Sequence, residues 1–247
     1  MRFFFKMLLA VFFAIVGTWG PLQAQTLTVG CDQNLKPFVY ADAQGHYTGF
    51  DIAVWREITK AMGVEFELRP MAFAELLPAL EEGRLDAALG ALSITAAREK
   101  RIDFSYPYYD AGLIVMVKKD NPFIQGIGDL DDKIVATKRG TTSDDFAHNI
   151  QTKAVKLFAT IEEAYAALQA GQADAVIFDS TVILHFIKTE GQDTFKTVGR
   201  LYNRQAYGFA FPSGSPWRDK ASIAVLELRD GFNYAIIYSE WFGPYNH

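Results

Sequence analysis

Two residues of opposite charge stand where apolar runs give way to loops, and together they suit one kind of ligand. Arg98 follows the small residues Gly90, Ala91, Ser93 and Thr95, which let a ligand approach the backbone, and a helix opening near Thr95 would carry it one turn in. A planar guanidinium beside small residues can grip a carboxylate through two parallel hydrogen bonds. Asp179 closes the run ADAVIFD and suits an ammonium group. Held between them, a zwitterion would have both charges paired, which a buried ion requires. Each residue also has a plainer reading. Arg98 sits beside Glu99, Lys100 and Arg101 and could be a solvated helix charge, while Asp179 could cap a helix over 180–188. Spacing alone leaves both alternatives open.

Signatures of catalysis are sparse. The chain has no G-x-S-x-G, no phosphate-binding loop and no H-E-x-x-H, and His46, His148, His185 and His247 are scattered. Gly126-Ile-Gly128 lacks a third glycine and reads as a turn. No cofactor or metal site is expected.

The elements that must position the two charges form a repeated order. Thr26 to Cys31 alternates as a strand, and Ile52, Trp55, Ile58 and Met62 recur at helical spacing until Gly63. Val64 to Leu68 reads as a strand, Ala72 to Glu82 as a helix and Asp86 to Leu89 as a buried strand. The order returns with a strand over Lys133 to Thr137, a helix over Asp144 to Ile150 and a strand over Val155 to Phe158. A capping box, Thr160 with Glu163, opens the next helix, and Asp174 to Ile177 completes the unit. Residues 75–93 and 163–181 match at a constant offset of 88, with Leu80, Gly83, Asp86 and Ala87 meeting Leu168, Gly171, Asp174 and Ala175. Such a duplication predicts two α/β lobes, each a mostly parallel sheet flanked by helices. Ligands of open parallel sheets sit beyond the carboxyl ends of the strands. That rule selects Asp32 to Leu35 and Gly90 to Arg98 in one lobe, and Lys138 to Ser143 and Phe178 to Thr181 in the other.

The expected organisation is a first lobe over 25–107 and 208–247, a second over 113–202, and two hinge strands at 108–112 and 203–207. Trp217 to Tyr234 has helical spacing and would return the chain to the first lobe. Residues 1–24 read as a secretory signal peptide: Arg2 and Lys6, an apolar run from Met7 to Val16, then Gly17, Gly20 and Pro21 before a cleavage point after Ala24. That run is well short of the roughly 20 residues needed to span a bilayer. Cleavage would shift the formal charge from −5 to −7, which argues against a nucleic-acid partner. The single cysteine, Cys31, lies inside a strand pattern and reads as a small buried hydrophobe in a periplasmic protein.

Several stretches together, GFDIAVWREI, ELRPMAFAELLPAL, SITAAREKRIDFSYPYY, KRGTTS, ADAVIFD, YGFAFP and WFG, resemble the periplasmic amino-acid-binding proteins of polar amino acid ABC transporters, solute-binding family 3. Within that family the resemblance points to the glutamine-binding members. The resemblance implies the type II periplasmic-binding-protein fold, a monomer that clamps a free polar amino acid and delivers it to an inner-membrane ABC permease. It implies that Arg98, helped by Ser93, binds the α-carboxylate, and that Asp179 binds the α-ammonium with the Gly90-Ala91 backbone. Phe73 would be an aromatic wall, and Asp32 and Lys138 would read a side-chain amide, one accepting from its NH₂ and the other donating to its carbonyl. Leu35, Phe178 and Thr142 replace a stacking Phe, a His and a Gly of the glutamine-binding pattern, all at the side-chain end of the pocket. Two other roles fit the fold, a cyclohexadienyl dehydratase-like enzyme and a ligand-sensing protein; the enzyme would need a proton donor in the cleft.

Overall fold

A computed structural model describes residues 25–245; the proposed signal peptide and its cleavage point after Ala24 lie outside them. The chain opens with β1 (Thr26–Asp32), the short strands β2 (Asn34–Leu35), β3 (Val39–Ala41) and β4 (Tyr47–Thr48), then α1 (Phe50–Met62), β5 (Glu65–Met71), α2 (Phe73–Glu81), β6 (Ala87–Leu89), α3 (Ala96–Glu99) and β7 (Ile102–Phe104). It continues through β8 (Tyr109–Lys118), β9 (Ile134–Lys138), α4 (Thr142–His148), β10 (Ala154–Phe158), α5 (Ile161–Gln169), β11 (Ala175–Asp179), α6 (Ser180–Phe186) and β12 (Phe195–Tyr207). The last elements are β13 (Ala210–Pro212), α7 (Arg218–Asp230) and α8 (Phe232–Phe242).

Two five-stranded sheets result, in the orders β5-β1-β6-β13-β7 and β10-β9-β11-β8-β12. In each, four strands run one way and one is reversed, β13 in the first and β8 in the second. The reversed strand is the one on which the chain arrives from the other sheet. β7 and β12 run toward the crossing, so the strands that follow them must run away from it. The carboxyl ends of the parallel strands in both sheets therefore face the same crossing region. This is the two-lobed α/β architecture that the duplicated order predicts.

The repeat at an offset of 88 is visible as structure. α2 and α5 have nine residues each, and Gly83 and Gly171 follow them in the left-handed conformation, at φ 69° and 71°. Asp86 and Asp174 then perform one job twice. Asp86 accepts from the backbone N–H of Thr28 at 2.8 Å and Asp174 from that of Ile134 at 2.7 Å, so each carboxylate pins the third strand of its unit to the first. The Thr160–Glu163 capping box forms as its spacing predicts.

Leu27, Val29 and Cys31 on β1 and Ile52, Trp55 and Ile58 on α1 are buried, as their periods require. Where the chain crosses between sheets, aromatic rings replace aliphatics: Tyr108 stacks on Phe209 at 4.4 Å and Tyr109 on Tyr207 at 5.7 Å between centroids, and Phe242 of α8 packs on Tyr109 at 5.2 Å. Two expectations need correction. The helix expected over Asp144 to Ile150 begins two residues earlier, because the Thr141 hydroxyl accepts from the N–H of Asp144 at 3.3 Å and caps it there. The stretch Trp217 to Tyr234 divides at Gly231, whose extended ψ of 168° ends α7 before α8 begins. Residues 203–207 form the end of the longer strand β12, whose polar, irregular residues pair along β8 with two register shifts that no alternation announces.

Candidate functional site

The four loops at the carboxyl ends of β1, β6, β9 and β11 meet between the two sheets. Asp32 is the last residue of β1 and Leu35 lies in β2; Phe73 opens α2; Gly90, Ala91 and Ser93 follow β6; Arg98 is in α3. From the second sheet come Lys138, last in β9, Thr142, first in α4, and Phe178 and Asp179 at the end of β11. All eleven of these residues line one small cavity, and among the described residues Thr141 is the one further wall. Its walls stand nearly in contact, leaving about 10 Å³ of room for the centre of a water-sized sphere.

The charges are all withdrawn from solvent. Arg98 is 8% exposed, so it is not the solvated helix charge its neighbours in sequence allowed. Thr95 caps its helix by accepting from the Arg98 N–H at 3.2 Å. The guanidinium donates from Nη1 to the Ser93 carbonyl at 2.9 Å and from Nη2 to the carbonyl of Gly140, in the turn after β9, at 3.3 Å. Burial lowers its pKa, and Asp145 and Asp179 oppose that. Lys138 and Asp32, 106 residues apart in sequence, form a buried ion pair across the cleft. The Phe73 ring lies 5.4 Å from the Lys138 ammonium and 5.7 Å from the Arg98 guanidinium, presenting its electron-rich face to both cations.

Asp179 occupies the N-cap position of α6, but its side chain makes no capping bond, so the plainer reading of it does not hold. Burial pushes its carboxyl up to about 7, against the pull of Tyr207, Arg98 and Lys138. Tyr207 influences it from close by, although the tyrosine hydroxyl has no hydrogen-bond partner among the described residues. Beside Asp32, burial pushes the Cys31 thiol up to about 12, which keeps it protonated and unreactive.

Thr141 lies inside the loop Lys138 to Ser143 that the strand-end rule selects. Two further residues have roles that the sequence reading did not assign. Asp51, fully buried, accepts from the N–H groups of Gly90 at 2.9 Å and Ala91 at 2.7 Å and from the Tyr108 hydroxyl at 2.8 Å. It holds the loop after β6 in a shape that puts Gly90 at φ 131° and Ala91 at φ 52°. A signal for it existed: Asp51 lies four residues before Trp55, an acid on the helix face where the period calls for an apolar side chain. Gln205, in β12, had no such signal, because its partners Ser93 and Thr142 are remote in sequence.

Chemically, the arrangement offers one cation and one carboxyl group from opposite lobes, Arg98 and Asp179, plus a neutralised pair, Asp32 and Lys138, all withdrawn from bulk solvent. Among the described residues no group of three histidine, cysteine or acidic side chains could hold a metal ion, and no helix is long and apolar enough to cross a membrane.

Comparison with known proteins gives a consistent picture. The family model described as bacterial extracellular solute-binding proteins, family 3, matches residues 27–244. The L-cystine-binding protein TcyJ of Escherichia coli (strain K12) is 30% identical over 221 residues, 88% of this chain and 83% of that one. Among solved structures, an ancestral arginine-binding protein bound to glutamine superposes with a TM-score of 0.81 and 36% identity, covering 88% of this chain and all but 2% of its own. The ancestral amino acid-binding protein AncCDT-1, a precursor of cyclohexadienyl dehydratase, gives a TM-score of 0.82 at 34% identity over 88% of this chain and 95% of that one.

Proposed function

The chain belongs to the bacterial extracellular solute-binding proteins, family 3, and from that premise we propose that it captures a free polar L-amino acid, with glutamine favoured, and delivers it from the periplasm to an ABC permease. The observation that carries this reading is the pairing of Arg98 and Asp179, buried charges of opposite sign contributed by facing sheets to one cavity. The α-carboxylate goes to Arg98 and the α-ammonium to Asp179. Only an arrangement with both sheets in place satisfies both ends, so binding and closure are one event. The cavity is too small to admit an amino acid as it stands. The two halves, 25–107 with 208–247 and 113–202, must therefore part, and residues 108–112 and 203–207 serve as the hinge. These two segments pair with each other, Tyr109 with Tyr207 and Ala111 with Gln205.

Side-chain preference follows from the Asp32–Lys138 pair. A ligand that enters between them must replace their mutual attraction, and leaving one of two buried partners uncompensated costs about 3–5 kcal/mol. A carboxamide donates to Asp32 and accepts from Lys138. An arginine or lysine side chain would repel Lys138, and a glutamate would repel Asp32. L-cystine deserves a second place on the same observation, because its far end carries both an ammonium and a carboxylate, and TcyJ bears that ligand's name. A thermal-shift screen over the amino acids and cystine tests the reading. Glutamine should stabilise most, arginine and glutamate least, and Arg98→Ala should abolish the shift while the ligand-free protein still unfolds cooperatively. No stabilisation by any of them at millimolar concentration would sink the proposal.

The chain is read as a binder and not a catalyst: of the two acids in the cavity, Asp32 is paired with Lys138 and Asp179 is assigned to the ligand's ammonium. Incubation with prephenate or arogenate should yield no aromatic product.

A further inference from the structure

Gln205 stands in β12 where that strand pairs with Ala111 of β8, in the stretch that joins the two halves. It is 9% exposed. Its Oε1 accepts from the Thr142 hydroxyl at 2.7 Å and, in a closer contact, from the Ser93 hydroxyl. Ser93 follows β6 of the first sheet and Thr142 opens α4 of the second, and both are walls of the cavity. One side-chain atom of the crossing strand thus ties a wall of each half to the strand that connects them.

The other end of the same carboxamide is unsatisfied: Nε2 is buried with no partner among the described residues. Hydroxyls donate and accept alike, so turning the amide over would still leave one end without a partner. A buried unpaired polar atom is unfavourable, and glutamine loses more rotamer freedom on burial than leucine. A position needing only a filler would favour an apolar side chain. What the carboxamide adds is a shared partner for two hydroxyls that can reach it together only when the halves are closed.

We propose that Gln205 is a positioning residue that fastens Ser93 to Thr142 in the closed cleft and so sets how long the ligand is retained, leaving the choice of ligand to the cavity walls. This rests on the amino-acid-binding reading of the cavity. Gln205 is behind the walls and not one of them, so it acts on closure: a bound ligand leaves only when the halves part, and whatever holds the occupied cleft shut slows its escape.

The test compares wild type with Gln205→Leu and Gln205→Met, two uncharged fillers of which at least one should fold normally. Dyes attached through Lys60→Cys and Lys153→Cys, exposed positions on opposite halves, report the distance between halves by single-molecule energy transfer, and stopped flow gives ligand dissociation. Losing the shared hydrogen bonds should lower the ligand-free closed fraction by about tenfold and speed dissociation of the wild type's preferred amino acid by about as much, with association unchanged. The ranking of amino acids should not move. In a Ser93→Ala, Thr142→Val background the Gln205 substitution should change the ligand-free closed fraction by less than about twofold, since its partners are gone. Unchanged distance and dissociation in both variants, full effects in that background, or an altered ranking would each overturn the proposal. Failure of wild type to bind any amino acid would count against the function alone, because the ligand-free distance still reads the role of Gln205.

Discussion

At the scale of the residue, the most informative group is Asp179. Its carboxyl rises from an ordinary 3.8 to about 7 on folding because burial disfavours the charge. Between those values the folded chain holds a proton that the unfolded chain has released. This group's contribution to stability therefore falls as pH rises from about 4 to about 7. Asp51, also raised to about 7, acts with the same sign. Asp179→Asn removes the buried charge and one of these two slopes. Without ligand it should melt several degrees above wild type at pH 8 and close to it at pH 4, as read by calorimetry; equal melting points at pH 8 would contradict the burial argument. A ligand ammonium needs the ionised form, so wild-type affinity should weaken below pH 7 by about tenfold per pH unit. Titration calorimetry from pH 5 to 8 measures it, and a flat profile would move the ammonium site away from Asp179.

Among elements, the connection from β6 to α3 is the most constrained. Gly90 has φ 131°, and a Cβ there would stand 3.2 Å from the Cβ of Asp32. Gly90→Ala should cost about 1–3 kcal/mol in urea unfolding through backbone strain, and should weaken ligand binding as well by displacing Asp32. The two strand-pinning acids invite a paired comparison. Asp86 holds Thr28 in partly buried surroundings and Asp174 holds Ile134 in an exposed setting. Water can replace the second contact but not the first. Asp86→Ala should therefore destabilise by about 1–3 kcal/mol and Asp174→Ala by less than about 1 kcal/mol. Equal losses would show that the two contacts are not graded by burial.

For the whole molecule, two kinds of contact bridge the sheets. At the rim, Asn34 donates to Glu162 at 2.9 Å and Lys36 lies 3.7 Å from Glu190, both exposed; such pairs are individually weak and screened by salt. In the interior, Lys138 with Asp32 and Arg98 with the Gly140 carbonyl are shielded from it. If the buried groups hold the ligand, affinity should change by less than roughly threefold between 0.05 and 0.5 M sodium chloride. A steep salt dependence would transfer the binding role to the rim.

The sequence by itself determined what local periodicity and chain order can carry. Alternation and helical spacing marked β1, α1, α2 and α5, the turns at Gly83 and Gly171 marked the repeat, and the rule of strand ends then selected the loops that converge. Boundaries failed where a neighbour only one or two residues away competed, as Thr141 did for the start of α4. Tertiary structure decided everything that depends on how two separately folded halves meet. Arg98 is buried because Gly140, 42 residues on, covers it. Asp51 became the support of the Gly90-Ala91 loop, 40 residues away, and Gln205 joined Ser93 across 112. Backbone patterns record contacts between residues a turn or a pleat apart; which side chains share a hydrogen bond between lobes is set by their docking, and a linear pattern has no period for that.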